Sequence, residues 1–123
     1  MNYDEMVDKV VQLDFVTDRD TADAACREIW RSVAESVEES VAVEVAAELP
    51  EDLLERELTS QRPAEFTLSR AELMNRIVGR FNLQPDDALR LIETVLHAGE
   101  EMLGDDSRTK LKLAVPQDVA GLM

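Results

Sequence analysis

The chain is short of the residues that usually announce a chemistry. It has one cysteine, Cys26, so no internal disulfide can form. That excludes a disulfide-stapled secreted fold and fits a reducing cytoplasm. It has one histidine, His97, so a site built on several imidazoles is excluded. Four glycines leave little room for a phosphate-cradling glycine loop, and neither that loop nor a Gly-x-Ser-x-Gly elbow occurs. Aromatics make up only 4% of the 123 residues, so a core must be built mostly from aliphatic side chains. No apolar run approaches the roughly 18–20 residues that a membrane span needs. The opening Met1–Glu5 is acidic and reads as no signal peptide.

Positive charge is scarce too. The net charge is −14, and the only lysines are Lys9, Lys110 and Lys112. Residues 1–57 hold 17 acids and 5 bases, whereas residues 58–123 hold 10 acids and 8 bases. Nucleic-acid affinity is built by neutralising phosphates with Lys and Arg, and anionic bilayers attract the same residues. Nucleic acid and membrane are therefore set aside as partners. Only the second half, with its arginines, Lys110 and Lys112, has the charge to touch phosphate. An acidic, lysine-poor composition fits a salt-adapted organism or a GC-rich genome, and both readings stay open.

What the chain does have is a repeat. Residue n matches residue n + 66 from end to end without a gap: Phe15 with Phe81, Asp20 with Asp86, Ala22 with Ala88, Glu35 with Glu101, Pro50 with Pro116 and Asp52 with Asp118. Apolar positions agree where letters differ, as in Val11 with Ile77, Cys26 with Ile92, Ile29 with Val95 and Trp30 with Leu96. The spacing predicts four helices per unit. Tyr3, Val7, Val10 and Val11 mark a first helix over 3–13; its counterpart starts at the capping box Ser69-Arg70-Ala71-Glu72 and carries Leu73, Ile77 and Val78. The second and longest helix has Asp18 as N-cap in one copy and Pro85 at the first helical position in the other. Its stripe is Ala22, Ala25, Cys26, Ile29, Val33 and Val37, matched by Ala88, Leu91, Ile92, Val95 and Leu103. Gly104 is expected to close the second copy as a left-handed residue.

A third helix spans 40–48, stopped by Pro50. Its counterpart, Arg108 to Val115, alternates polar and apolar residues and alone reads as a strand, but the alanine-rich first copy decides for helix. A short fourth helix follows each proline, over Glu51–Glu57 and Gln117–Leu122. The expected fold is all-α: two tandem copies of a four-helix unit, 3–57 and 69–123, joined by a linker over 58–66. They form one compact domain with pseudo-symmetry, by a pseudo-twofold or a simple translation. Units of some 55–60 residues would be marginal alone, which is why one shared core is expected.

Candidate sites are few. Glu93, His97, Glu100 and Glu101 fall on one helix face and could begin a metal site. No second histidine exists to complete it, and a solvated face explains the same spacing. Cys26 lies mid-helix opposite Ile92 and reads as a buried, inert thiol rather than a nucleophile. Trp30 reads as packing. Asp18 to Asp23 resembles a calcium loop but lacks the glycine at position 6 and the glutamate at position 12, where Ile29 stands. Arg70, Arg76 and Arg80, with Arg62 and Arg90, are the nearest thing to a basic face. They could contact an acidic partner, or hold the two oppositely biased halves together, or be ordinary surface arginines.

Several stretches also resemble a known family. Asn2-Tyr3-Asp4-Glu5, Leu49-Pro50-Glu51-Asp52-Leu53, Phe66-Thr67-Leu68-Ser69 and Val115-Pro116-Gln117-Asp118-Val119 look like domain-of-unknown-function family 2267, found in bacteria and archaea. The resemblance spans essentially the whole chain and implies a duplicated all-helical domain. It carries no agreed activity, so it transfers no catalytic residue and no cofactor. The chain departs from the pattern at Glu38-Glu39-Ser40, where a glycine-rich turn is expected after the second helix. The function expected from the sequence is a non-enzymatic protein–protein interaction module, meeting an unknown protein partner or a second copy. The alternative is a metal-binding or carboxylate-using enzyme centred on the second helix of the second unit.

Overall fold

A computed structural model describes residues 3–35, 37, 39–48, 69–115 and 117–122. Among these, every regular element is a helix: α1 (Tyr3–Val11), α2 (Arg19–Glu35), α3 (Glu39–Glu48), α4 (Arg70–Phe81), α5 (Pro85–Glu100), α6 (Asp105–Ala114) and α7 (Gln117–Ala120). The expected linker over 58–66 and the expected helix over 51–57 lie outside the described residues, as do Pro50, Arg62 and Pro116.

The start signals read from the sequence do what their chemistry predicts. Asp18 Oδ1 accepts from the Thr21 amide at 2.6 Å and so caps α2. That bond holds the carboxyl below its ordinary range. Ser69 accepts from the Glu72 amide at 3.1 Å and caps α4. Pro85 opens α5, where its missing N–H costs nothing. Arg108–Ala114 is helical, within α6, and Val115 caps that helix in an extended conformation. A continuous helix stands there in place of the strand that the alternation alone would suggest.

Gly104 is a correction. It does not close α5 in the left-handed region; its φ of −68° is one that any residue adopts. α5 ends at Glu100 in a tightened turn, with Met102 N–H on the Gly99 carbonyl and Leu103 N–H on that of Glu100. Gly104 instead precedes α6, its carbonyl accepting from Arg108 N–H at 2.9 Å. Asp105 and Asp106 follow in the first turn, where acids suit the positive helix end. Among the described residues the left-handed one is Asn82 (φ 54°), which ends α4.

The two long helices form the middle of the molecule. α2 and α5 pack on each other; α1 packs on both, and so does α4. α3 and α6 pair with each other, with α7 against α6. The predicted stripes are buried: Ala22, Ala25, Cys26, Ile29 and Val33 on α2, and Ala88, Leu91, Ile92 and Val95 on α5, are essentially inaccessible, while Val37 and Leu103, also buried, stand just past the ends of these helices. Burial of this kind contributes about 25 cal/mol per Å² of apolar surface removed from water.

Trp30 decides how closely α2 and α5 approach. It is wholly buried, and its Nε1 donates to the Val95 carbonyl at 3.2 Å, so its polar atom is satisfied. Gly99 makes room for it: a Cβ there would lie 2.2 Å from Trp30 Cζ2.

Candidate functional site

Two clusters of polar side chains interrupt this apolar frame. The first is the seam between α2 and α4. Ser32 is fully buried and Glu28 nearly so. Arg76 Nη1 donates to Ser32 Oγ at 3.1 Å, and Arg80 Nη1 donates to Glu28 Oε2 at 3.3 Å. Arg31 donates to the same Glu28 oxygen. Beside the seam a cavity of about 190 Å³ is lined by Asp23, Ala24, Arg27, Glu28, Arg31 and Arg80. Asp23 accepts from Tyr3 Oη and from Arg27 Nε, and the Arg27 guanidinium stands 5.7 Å over the Tyr3 ring. Burial, with Asp23 beside it, raises the Tyr3 hydroxyl well above its ordinary range.

The second cluster lies where α5 hands over to α6. His97, Glu100, Glu101 and Arg108 line a cavity of about 240 Å³. Glu100 is mostly buried and pairs with Lys112 at 2.7 Å. Glu101 pairs with Lys9 of α1 at 3.3 Å. Arg108 Nη2 donates to the Leu103 carbonyl at 3.2 Å, while its Nε–H is buried with no partner among the described residues.

The sequence candidates are thus redistributed. His97, Glu100 and Glu101 do meet at one cavity, but each glutamate faces a lysine. Among the described residues no three His, Cys, Asp or Glu side chains gather as a metal-holding group. Glu93 does not line this cavity. Arg76 and Arg80 reach across to α2, so part of their charge is directed at Ser32 and Glu28. Arg70 lies in the first turn of α4, its backbone N–H on Asp118 Oδ2 at 3.1 Å. Arg90 stands 5.6 Å over the Phe15 ring and 3.9 Å from Asp14. Cys26 is buried, and burial pushes its thiol up to about 12, opposite to what a nucleophile needs.

Sequence reading missed Glu28, Ser32 and Arg108. For the first two a signal existed. Thr94 and Ala98 stand 66 residues further on, so the sequence itself sets Glu28 and Ser32 apart from the residues at that spacing. Arg108 had no local signal, because its surroundings come from α5 and the turn after it.

The architecture is that of an all-helical bundle whose polar clusters are ion-paired across helices. Residues 3–122 match the family model described as "Uncharacterized conserved protein (DUF2267)", and the chain belongs to that family. No curated protein and no solved structure matches the chain. Among the described residues no helix is long and apolar enough to cross a membrane.

Proposed function

We propose that the protein is a non-enzymatic interaction module, a single domain made of two copies of one helical unit related by a pseudo-twofold. The observation that carries the functional reading is the outer face of the α3–α6 pair. Leu113 is 82% exposed and Val43 54% exposed, the large apolar side chains left in water among the described residues. Among the described residues the other apolar stripes are covered, so an uncovered leucine on a paired helix suits a contact with another protein surface.

The duplication supports the same reading. α1 packs on α2 and α5, while α4 packs on α5 and α2, which is the exchange a twofold would produce. Lys110 pairs with Glu44 at 3.0 Å, and the two residues stand 66 apart, at matching positions. A residue meets its own counterpart where an axis passes; a simple translation does not bring counterparts together. The regularities serve packing, and duplicated helical units offer faces that accept a partner helix.

The test compares wild type with the Val43→Glu/Leu113→Glu double variant. Light scattering after size exclusion, over a wide concentration range, reads self-association; affinity capture from native extract reads a stoichiometric protein partner. Either association, lost in the double variant at an unchanged melting temperature, supports the module. A monomer whose captured proteins are the same for both chains overturns it.

A further inference from the structure

The outer face of the α3–α6 pair carries more pattern than its two exposed apolar side chains. Residues three and four apart share one side of a helix. Ser40, Val43 and Ala47 therefore stand in one row on α3, and Asp106, Thr109 and Leu113 in one row on α6, all six exposed. The two helices run antiparallel. Glu48, at the end of α3, accepts from the Gly104 amide just ahead of α6 at 3.1 Å, and Lys110 meets Glu44 midway at 3.0 Å. The face thus has two unlike ends. Glu48, Asp105 and Asp106 gather at one, where α3 ends and α6 begins, and all three are exposed. Leu113 stands at the other.

We infer that this face takes a basic amphipathic helix of another protein, an inference that rests on reading the pair as a contact face. The partner's apolar stripe covers Leu113 and Val43, and its Lys or Arg residues meet Glu48, Asp105 and Asp106. Charge chooses this occupant. The chain carries −14, and the acids at one end of the face extend that sign onto the contact itself. A cationic partner is steered toward it and an anionic one is repelled. A second copy fits badly for the same reason, because it brings another −14. In a twofold contact centred on Lys110 and Glu44, laying α3 of each copy on α6 of the other sets Glu48 of one against Asp105 and Asp106 of the other. Laying α3 on α3 sets Glu44 against Glu44 and Lys110 against Lys110. Length suits a helix as well. α3 and α6 have 10 residues each, which at about 1.5 Å per residue is about 15 Å, so about three turns of a partner cover the face. Two rows spaced in this way accept the i, i+3, i+4 anchors of such a helix. With axes about 8–10 Å apart, the footprint falls below the roughly 800 Å² per partner of a standard interface, and the contact is a reversible one.

The test is NMR of the intact, nitrogen-15-labelled protein, titrated with a short helical peptide of leucine and lysine in amphipathic order. Two control peptides keep the pattern but carry glutamate for lysine, or serine for leucine. The expected result is a saturable shift of α3 and α6 amides with the leucine–lysine peptide, weakening as salt rises from about 0.1 M to about 1 M. Val43→Ser/Leu113→Ser weakens binding at least about tenfold, and Glu48→Gln/Asp106→Asn weakens it severalfold. Equal binding of either control peptide overturns the inference, as do shifts spread over the acidic surface or an affinity unchanged in both variants. Self-association through α3 and α6 also overturns it and assigns the face to a second copy. Should the serine variant fail to fold, the charge variant and the control peptides carry the decision. The two readings fail separately. A captured protein lost in Val43→Glu/Leu113→Glu, with no α3 or α6 shift from the leucine–lysine peptide, keeps the contact face and removes the basic helix. Capture unchanged in that variant removes both.

Discussion

Two helices of this protein, α1 and α4, each pack on both α2 and α5, and they bury different side chains there. α1 lies on α2 and α5 with Met6, Val7 and Val10 buried. α4 lies on α5 and α2 with Leu73 and Ile77 buried, but where α1 has Val10 it has Arg76. Across from these, Ala98 of α5 stands where α2 has the buried Ser32, and Thr94 where it has the near-buried Glu28. The α1 interface keeps its polar contacts at its edge, as in Tyr3 with Asp23 and Lys9 with Glu101, and its buried middle is apolar. The α4 interface needs partners for the polar groups it buries, and Arg76, Arg80 and Arg31 supply them. Replacing a satisfied buried pair by apolar groups is often neutral or stabilising. A polar seam kept in a frame that tolerates an apolar one is therefore not required by the fold itself.

The largest effect should come from forcing one interface to copy the other. Val10→Arg places a guanidinium at a fully buried position. An uncompensated buried charge costs about 3–5 kcal/mol, so urea denaturation should show most of the stability gone. A loss under about 1 kcal/mol would mean that α1 can tilt to let the charge out, and that the two interfaces are interchangeable.

The crossing of the long helices comes next. Gly99→Val drives a side chain into the Trp30 ring, where even a Cβ would sit 2.2 Å from Cζ2. Overpacking of this kind costs about 1–3 kcal/mol. Combining it with Trp30→Leu, which restores space at that point, should recover part of the loss. A non-additivity near zero in that cycle would show that the two side chains do not compete for one volume.

Glu28→Gln sharpens the comparison on the polar side. It keeps the shape but removes the charge that Arg31 and Arg80 share, and should cost about 1–2 kcal/mol. The matching change, Thr94→Gln, should cost less. If both cost the same, the seam is no more demanding than its apolar counterpart.

Alkaline pH probes the buried edge of α2. The Cys26 thiol is raised from 9.0 to about 12, and the Tyr3 hydroxyl is raised from 10.0. Both groups titrate at lower pH once unfolded. Their stabilisation is whole below about pH 9 and falls away as pH rises toward 12. Cys26→Ala should flatten part of that decline, and a disulfide reagent should modify Cys26 at the rate of unfolding. Rapid labelling of the native protein would contradict its burial.

Salt should have the smallest effect and separate the halves. With a net charge of −14, self-repulsion disfavours the compact state. Screening shortens its range from about 10 Å at 0.1 M to about 3 Å at 1 M. Among the described residues four ion pairs join the halves and weaken under the same screening: Lys9–Glu101, Arg80–Glu28, Arg90–Asp14 and Lys110–Glu44. Exposed pairs contribute little, so the melting temperature should rise, with hydrogen exchange slowing most over residues 3–48. A flat or falling melting temperature would mean the pairs outweigh the repulsion and would remove the physical support for salt adaptation.

How much of this was legible in the sequence depended on range. Helical periodicity is local, and it placed the stripes of α2 and α5 and the caps at Asp18, Ser69 and Pro85. It also carried α6 past a strand-like alternation, because the matching segment has alanines. Gly104 was misread because glycine after a helix most often closes it; the two acids that follow it mark a helix start instead. Glu28 and Ser32 have partners 52 and 44 residues away, and no local pattern specifies such pairs. The His97 cavity was half legible. Spacing put His97 with Glu100 and Glu101, but Lys9 and Lys112, which occupy those carboxylates, come from other helices. Arg108 entered only through the packing of α6.

The central claim is that the two halves share one core through Trp30, Gly99 and Val95. Equilibrium unfolding in urea, followed by Trp30 fluorescence and by backbone hydrogen exchange in α5, tests it most directly. Trp30 reports from the first half and α5 from the second. A shared core predicts coincident midpoints and slopes, and the same global opening free energy for α2 and α5 amides. Separate transitions, or a second half that stays protected after Trp30 is exposed, would contradict it.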